Sequence, residues 1–177
     1  MGNDFILGSG EEQETTLSAG MGSYDGESTF TVGVQYTEEG KYSDYEFTAG
    51  AELGYSFTSN QLSSADISAS VTNPYKEVFP FLGVNGHIQN NGKETVTTAG
   101  VTAGLSIKND WSDMASFEVS PYATAGYGYS TEKGSGVMYG GGVEAYKTVG
   151  NHVTLGGQIG YNNYNKWGGG LSIGYSF

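Results

Sequence analysis

The chain has no cysteine and no arginine, three prolines, and no long apolar run in its 177 residues. Without cysteine there is no disulfide framework, no thiolate metal site and no cysteine nucleophile. With seven lysines against 19 acidic residues and a net charge of −12, the chain lacks the cationic surface that grips phosphate, which excludes nucleic acid as a partner. No stretch reaches about 18 apolar residues, so no transmembrane helix is encoded. That leaves membrane strands open, because their signal is alternation rather than a run. Charge and leucine are also sparse, which argues against a soluble α/β enzyme.

What is present is glycine, tyrosine, serine and threonine, with 30 glycines and 14 tyrosines spread along the chain. Such a composition suits an all-β chain with many turns, and the abundant aromatics argue against disorder. The pattern has period two. From Tyr45 to Phe57 every odd residue is apolar or aromatic and every even one is polar or glycine. Successive side chains of a strand point to opposite faces, so such a strand has one greasy and one wet face. The same alternation recurs over Phe30 to Tyr36, Ala65 to Val71, Ala99 to Ile107, Phe117 to Tyr129, Val153 to Tyr161 and Trp167 to Phe177.

Three segments are less regular. Thr15 to Ser23 is the weakest strand, with Leu17, Ala19 and Met21 on its apolar face. Val78 to Gln89 puts Val78, Leu82, Val84 and Ile88 on one face and Phe79 and Phe81 on the other, so a bulge near Pro80 is expected. Val137 to Ala145 is diluted by glycine. Turn signals separate the strands at Asp25-Gly26, Glu39-Gly40, Asn73-Pro74, Asn91-Gly92, Asn109-Asp110, Lys133-Gly134, Gly150-Asn151 and Asn162-Asn163. The expected architecture is a closed, antiparallel, up-and-down transmembrane β-barrel of about ten strands over residues 15–177, with eight strands as the alternative. Residues 1–14 read as a flexible acidic tail. Met1-Gly2-Asn3-Asp4 has neither a basic nor an apolar signal region, and the expectation is that a secretory signal has been removed.

Alternation alone does not say which face is inside, and a soluble ligand-binding barrel of the lipocalin type would bury the apolar face. Two features favour lipid outside. The polar face is nearly all glycine, serine and threonine, which suits a narrow interior better than a solvated surface. The apolar face carries rings at strand ends and aliphatics between them. Tyr45, Phe47, Tyr55, Phe57, Tyr127, Tyr129, Tyr161, Trp167, Tyr175 and Phe177 are the expected interfacial girdles.

The end of the chain, Gly170-Leu171-Ser172-Ile173-Gly174-Tyr175-Ser176-Phe177, resembles the C-terminal β-signal of bacterial outer-membrane proteins. In general layout the chain resembles the small OmpA/OmpX-like barrels, departing from them in its strand number, its lack of arginine and its lack of long loops. The resemblance implies insertion by the barrel-assembly machinery, outer-membrane lipid as the surrounding partner, and periplasmic termini.

The inward list is mostly small, but Glu46, Glu52, Asp66, Glu118 and Glu144 are expected to line the lumen, with Lys108 near one strand end. Hydrated carboxylates favour cations, so a small, passive, cation-preferring pore is one expectation. The other is a closed structural or surface-recognition barrel in which the same acids hydrogen-bond to inward hydroxyls. Phe79, Phe81, Tyr122, Met138 and Tyr146 are the expected constriction. No cofactor, metal site or enzyme activity is expected. No calcium-loop spacing appears, and Gly126-Tyr127-Gly128-Tyr129 precedes no helix and is no nucleotide loop. His87 falls on an inward face. His152-Val153-Thr154 superficially resembles the His and Ser spacing of outer-membrane lipid A deacylases, but threonine replaces the serine.

Overall fold

The structure, a computed structural model, describes residues 13–24, 27–39, 45–57, 60–73, 77–112, 115–150 and 152–177. Ten strands follow one another: β1 (Gln13–Tyr24), β2 (Glu27–Glu39), β3 (Glu46–Ser56), β4 (Gln61–Thr72), β5 (Val78–Asn90), β6 (Thr95–Ser112), β7 (Ala115–Ser130), β8 (Gly134–Val149), β9 (Val153–Asn162) and β10 (Lys166–Ser176). Each pairs antiparallel with its neighbours in the chain, and β1 pairs with β10 to close the barrel. The strand number is therefore ten and not eight. Of the expected acidic tail, residues 1–12 lie outside the described residues, while Gln13 and Glu14 already belong to β1.

The strands are staggered. A line of paired residues from Leu17 runs through Val34, Ala51, Ile67, Gly86, Ala99 and Tyr127 to Val137, then leaves the rim before it can return to β1. Carried once around, the register shifts by about 12 residues, which for ten strands means a tilt of about 40° and a backbone radius of about 10 Å.

Two expectations about local structure are corrected. β5 carries no bulge at Pro80, because Val78 to Asn90 pairs with β6 in unbroken register. The parity change takes place between Thr72 and Val78 instead, and Phe79 and Phe81 face inward. A bulge does occur in β4, where Gly54 pairs with Ser64 and Tyr55 with Leu62, leaving Ser63 extra. The second correction concerns Asn109-Asp110. These residues pair with Phe117 and Ser116 inside the β6–β7 ladder, and β6 continues to Ser112. Polar residues with turn propensity are tolerated there because the ladder satisfies the backbone regardless of side chain.

Pro121, which has no N–H for the ladder, faces outward and is exposed. The recorded β6–β7 pairs skip from Gly104↔Tyr122 to Ile107↔Val119 at this level, with the register unchanged. The inward hydroxyls of Ser106 and Ser120 face each other at the gap, with oxygens 2.7 Å apart.

The exterior is apolar. Leu171 is 73% exposed, Val137 68% and Ile67 67%. In a water-soluble domain such side chains would be the core. Here the buried positions are threonine, serine, glutamine and acids together with a few large side chains.

Candidate functional site

The site to consider is the barrel interior, because it gathers the groups of unusual chemistry. Even positions point inward in β1, β3 and β6 to β10 and, beyond the bulge at Ser63, in β4, whereas in β2 and β5 the odd positions do. All five acids named from the sequence lie inside and buried: Glu46, Glu52, Asp66, Glu118 and Glu144. All five large residues named as a constriction are inside too, Phe79 and Met138 at 1% exposure and Phe81, Tyr122 and Tyr146 below 9%.

The interior has two unlike sides. The large residues all come from β5, β7 and β8, and all but Phe79, whose partner on β6 is Ser106, lie against an inward glycine of a neighbouring strand. Phe81 pairs with Gly104, and a Cβ at Gly104 would sit 2.5 Å from the Phe81 ring. Tyr122 lies between Gly104 and Gly142, and Tyr146 beside Gly156. A flat ring over bare backbone fills the space that a second side chain would need, which allows close packing inside so small a circle. On the other side, β9, β10 and β1 to β4 present mainly serine, threonine, glycine and glutamine. Ser18, Ser68, Gln158 and Ser172 point inward there yet are only half-buried.

Two small cavities lie along this second side. One, of about 20 Å³, is lined by residues including Ser18, Gln35, Gly50, Glu52, Asp66 and Ser68. The other, of about 10 Å³, is lined by residues including Thr31, Glu52, Gln158 and Ser172. Both also have apolar residues in their walls, Val34 and Ala51 in the first and Met21 and Leu171 in the second, and neither has room for more than about one water. Glu52 borders both.

The acids, which look equivalent in the sequence, are held differently. Glu52 and Asp66 face each other across β3 and β4. Asp66 is joined to His87 at 2.5 Å, and the other ring nitrogen of His87 lies 3.3 Å from Gln89. Glu118 lies opposite Lys108 and accepts a hydrogen bond from Ser120 at 3.2 Å. Glu144 accepts from the Tyr146 hydroxyl at 2.9 Å. The sequence places His87 inward but not beside Asp66. That pairing depends on the register between β4 and β5, and no spacing within the chain carries it.

Tyr164 was also missed. It lies in the β9–β10 turn, yet it is only 9% exposed and packs with Val96 and Met138. Polar turn residues around a tyrosine read as an exposed loop, so nothing local gives the inward ring away.

His152 stands at the other end, its Nδ1 2.9 Å from the carbonyl of Ser176 and its ring stacked on Tyr175. Thr154 is buried on the inner wall. Among the described residues no group of three or more acids and histidines is placed to hold a metal ion.

The exterior completes the geometry. Tyr55, Phe57, Tyr127, Tyr129, Tyr161 and Trp167 stand toward the end that carries the β9–β10 turn. Tyr45, Phe47, Tyr175 and Phe177 stand toward the end that carries the C-terminus. Apart from Tyr161, which is half-buried, these side chains are exposed. Rings touch within the belts, with Tyr161 and Trp167 5.4 Å apart and Tyr175 and Phe177 6.0 Å apart. From Phe47 to Tyr55, and from Trp167 to Tyr175, the belts are separated by about 20 Å along the axis at this tilt, with only aliphatic and small residues between, close to the height of a bilayer's apolar band. This is a transmembrane β-barrel.

No sequence-family description and no curated protein matches the chain. Solved outer-membrane barrels do resemble it in structure. CdiB from Acinetobacter baumannii is 12% identical over 90% of this chain and 32% of its own, with a TM-score of 0.43, so the chain spans about a third of that protein. The β-domain of the Bordetella autotransporter BrkA is 11% identical over 93% and 98% of the two chains, with a TM-score of 0.42. The KdgM porin is 8% identical over 92% and 99%, also at 0.42. At these values the membrane assignment rests on the exterior just described.

Proposed function

We propose that the chain resides in a bacterial outer membrane and acts there as a narrow, passive, cation-preferring conduit, with no catalytic step. The observation that carries this reading is the position of Glu52, which borders both small cavities on the side of the barrel that the large residues leave unfilled. A carboxylate beside a thread of water favours cations over anions. The cavities admit about one water each, so the expected conductance is small and large solutes are excluded. By this reading the aromatic belts sit at the two lipid interfaces, the termini are periplasmic, and the C-terminal eight residues are what the assembly machinery recognises.

The test is a planar bilayer with a tenfold gradient of potassium chloride. Small steps with a reversal potential of cation sign are expected, and Glu52→Gln is expected to bring that potential close to zero with folding intact. The low exposure of Phe79 and Met138 favours a second reading, a closed barrel that presents its outer turns to a partner. Folded protein that inserts but gives no steps with any monovalent salt supports the closed barrel and removes the conduit.

A further inference from the structure

The β9–β10 turn is a polar turn at a rim, and such segments are exposed by default. Here it folds inward. β8 pairs with β9 only as far as Gly140↔Asn162, while β7 and β8 go on pairing to Ser130↔Gly134. The turn thus stands beside a taller wall and leans against its inner face. The Tyr164 ring lies over Gly128, where a Cβ would come within 2.6 Å of it, and its hydroxyl is next to Gly136. Val96 and Met138 close around it.

A latch holds the turn to that wall. Asn163 donates from its backbone N–H to the carbonyl of Tyr139 at 3.1 Å and from Nδ2 to the carbonyl of Val137 at 2.9 Å. Its Oδ1 accepts from the Tyr139 N–H at 2.9 Å. Asn163 thereby continues the ladder past the end of β9. Inside the turn, Asn162 Oδ1 accepts from the N–H groups of Tyr164 at 2.9 Å and Asn165 at 2.6 Å.

Two features oppose this position. Lys166 has a φ of 62°, in the left-handed region that disfavours side chains with a Cβ. Asn165 is 6% exposed, and neither the nitrogen nor the oxygen of its side-chain amide has a hydrogen-bond partner. A buried amide without partners loses its hydration and regains nothing, so it favours any state that returns it to water.

We infer that the β9–β10 turn is a lid over this end of the lumen, closed by Tyr164, latched by Asn163 and biased toward opening by Asn165. The inference rests on the conduit reading for its physiological use. Its structural content, a turn with an inward and an outward position, can be tested apart from conduction.

Met138 supplies the test without any added probe group. It is 1% exposed beneath the Tyr164 ring, whereas Met21 is 62% exposed on the outside. Peroxide converts accessible methionine to the sulfoxide, and mass spectrometry of the folded protein in detergent reads each site. Asn163→Ala, which keeps the tyrosine and removes the side-chain half of the latch, is expected to raise the oxidation rate of Met138 at least fivefold over the wild type, with Met21 unchanged. Asn165→Leu, which replaces the orphaned amide by an apolar group of similar size, is expected to lower it. Tyr164→Phe keeps the ring and should oxidise like the wild type.

Unchanged Met138 rates in both Asn163→Ala and Asn165→Leu overturn the lid, whatever the bilayer shows. The same variants, recorded in the bilayer, should raise and lower the open time. If the oxidation rates move as expected while every variant is electrically silent, the lid stands and the conduit reading falls. If the wild type conducts with cation preference and the oxidation rates do not move, the conduit stands and the lid falls.

Discussion

The two sides of the interior use opposite means of filling the same circle. On the β5–β8 side, Phe79, Phe81, Tyr122, Met138 and Tyr146 fill space with large side chains, all but Phe79 set against glycine. On the side that runs from β9 through β10 and β1 to β4 the wall is lined by small hydroxyls and amides, and two small cavities lie along it. The first side behaves as a core and the second as a surface of small residues folded inward. A ten-stranded ring of about 10 Å radius is slightly too wide to fill from all sides with the small residues encoded here. Concentrating the bulk on one side leaves the other lined by small residues. The division predicts that equivalent substitutions have unequal consequences on the two sides.

The largest difference is expected from truncation. Phe81→Ala removes a ring that Gly104 and Tyr122 pack against, and a cavity of that kind costs about 3–5 kcal/mol. Ser68→Ala, on the wall of the larger cavity, should change stability by less than about 0.5 kcal/mol. Denaturant unfolding of the protein in detergent micelles, followed by tryptophan fluorescence, measures both. Equal costs would mean that the packed side is not a core.

How far the sequence reveals this division depends on the element. The alternation of Tyr45 to Phe57 is complete enough to give strand, face and girdle together, since a strand with lipid on one side and a lumen on the other must alternate without exception. The inward position of each acid and each constriction residue follows from the same parity. Which of them share a side does not. Phe81 meets Gly104, and Asp66 meets His87, because of the register between strands far apart in the chain. Many registers satisfy the same alternation. The bulge at Ser63 illustrates the limit, since serine in an alternating run carries no mark of an extra residue. The Asn109-Asp110 turn failed for a related reason. β6 and β7 extend well past the apolar band, and beyond it a strand no longer needs apolar residues and so reads as a loop.

A smaller difference is expected from adding a single methyl group. Gly104→Ala would place a Cβ 2.4 Å from the carbonyl oxygen of Pro121 and 2.5 Å from the Phe81 ring. Backbone and ring must both shift, a strain of about 1–3 kcal/mol. Gly50→Ala meets nothing closer than the Ser68 hydroxyl at 3.4 Å. It should be neutral or slightly stabilising, because alanine restricts the unfolded chain more than glycine does. The same unfolding experiment separates them. A Gly50→Ala cost matching that of Gly104→Ala would show that both sides are packed to the same density, which would count against the proposed conduit.

The smallest effect tests how the packed side copes with a proline in its wall. Pro121 interrupts the β6–β7 ladder, and the buried hydroxyls of Ser106 and Ser120 face each other at that level. If this pair substitutes for the missing backbone bond, Ser106→Ala should cost about 0.5–1.5 kcal/mol, the net worth of one hydrogen bond. Both hydroxyls also hydrogen-bond to Glu118, so Ser120→Ala should cost about as much. A hydroxyl pair that merely fills space would leave both substitutions close to neutral. A loss at both ties the seam at Pro121 to the Lys108–Glu118 pair below it. The charges of the packed side then help to hold its wall together.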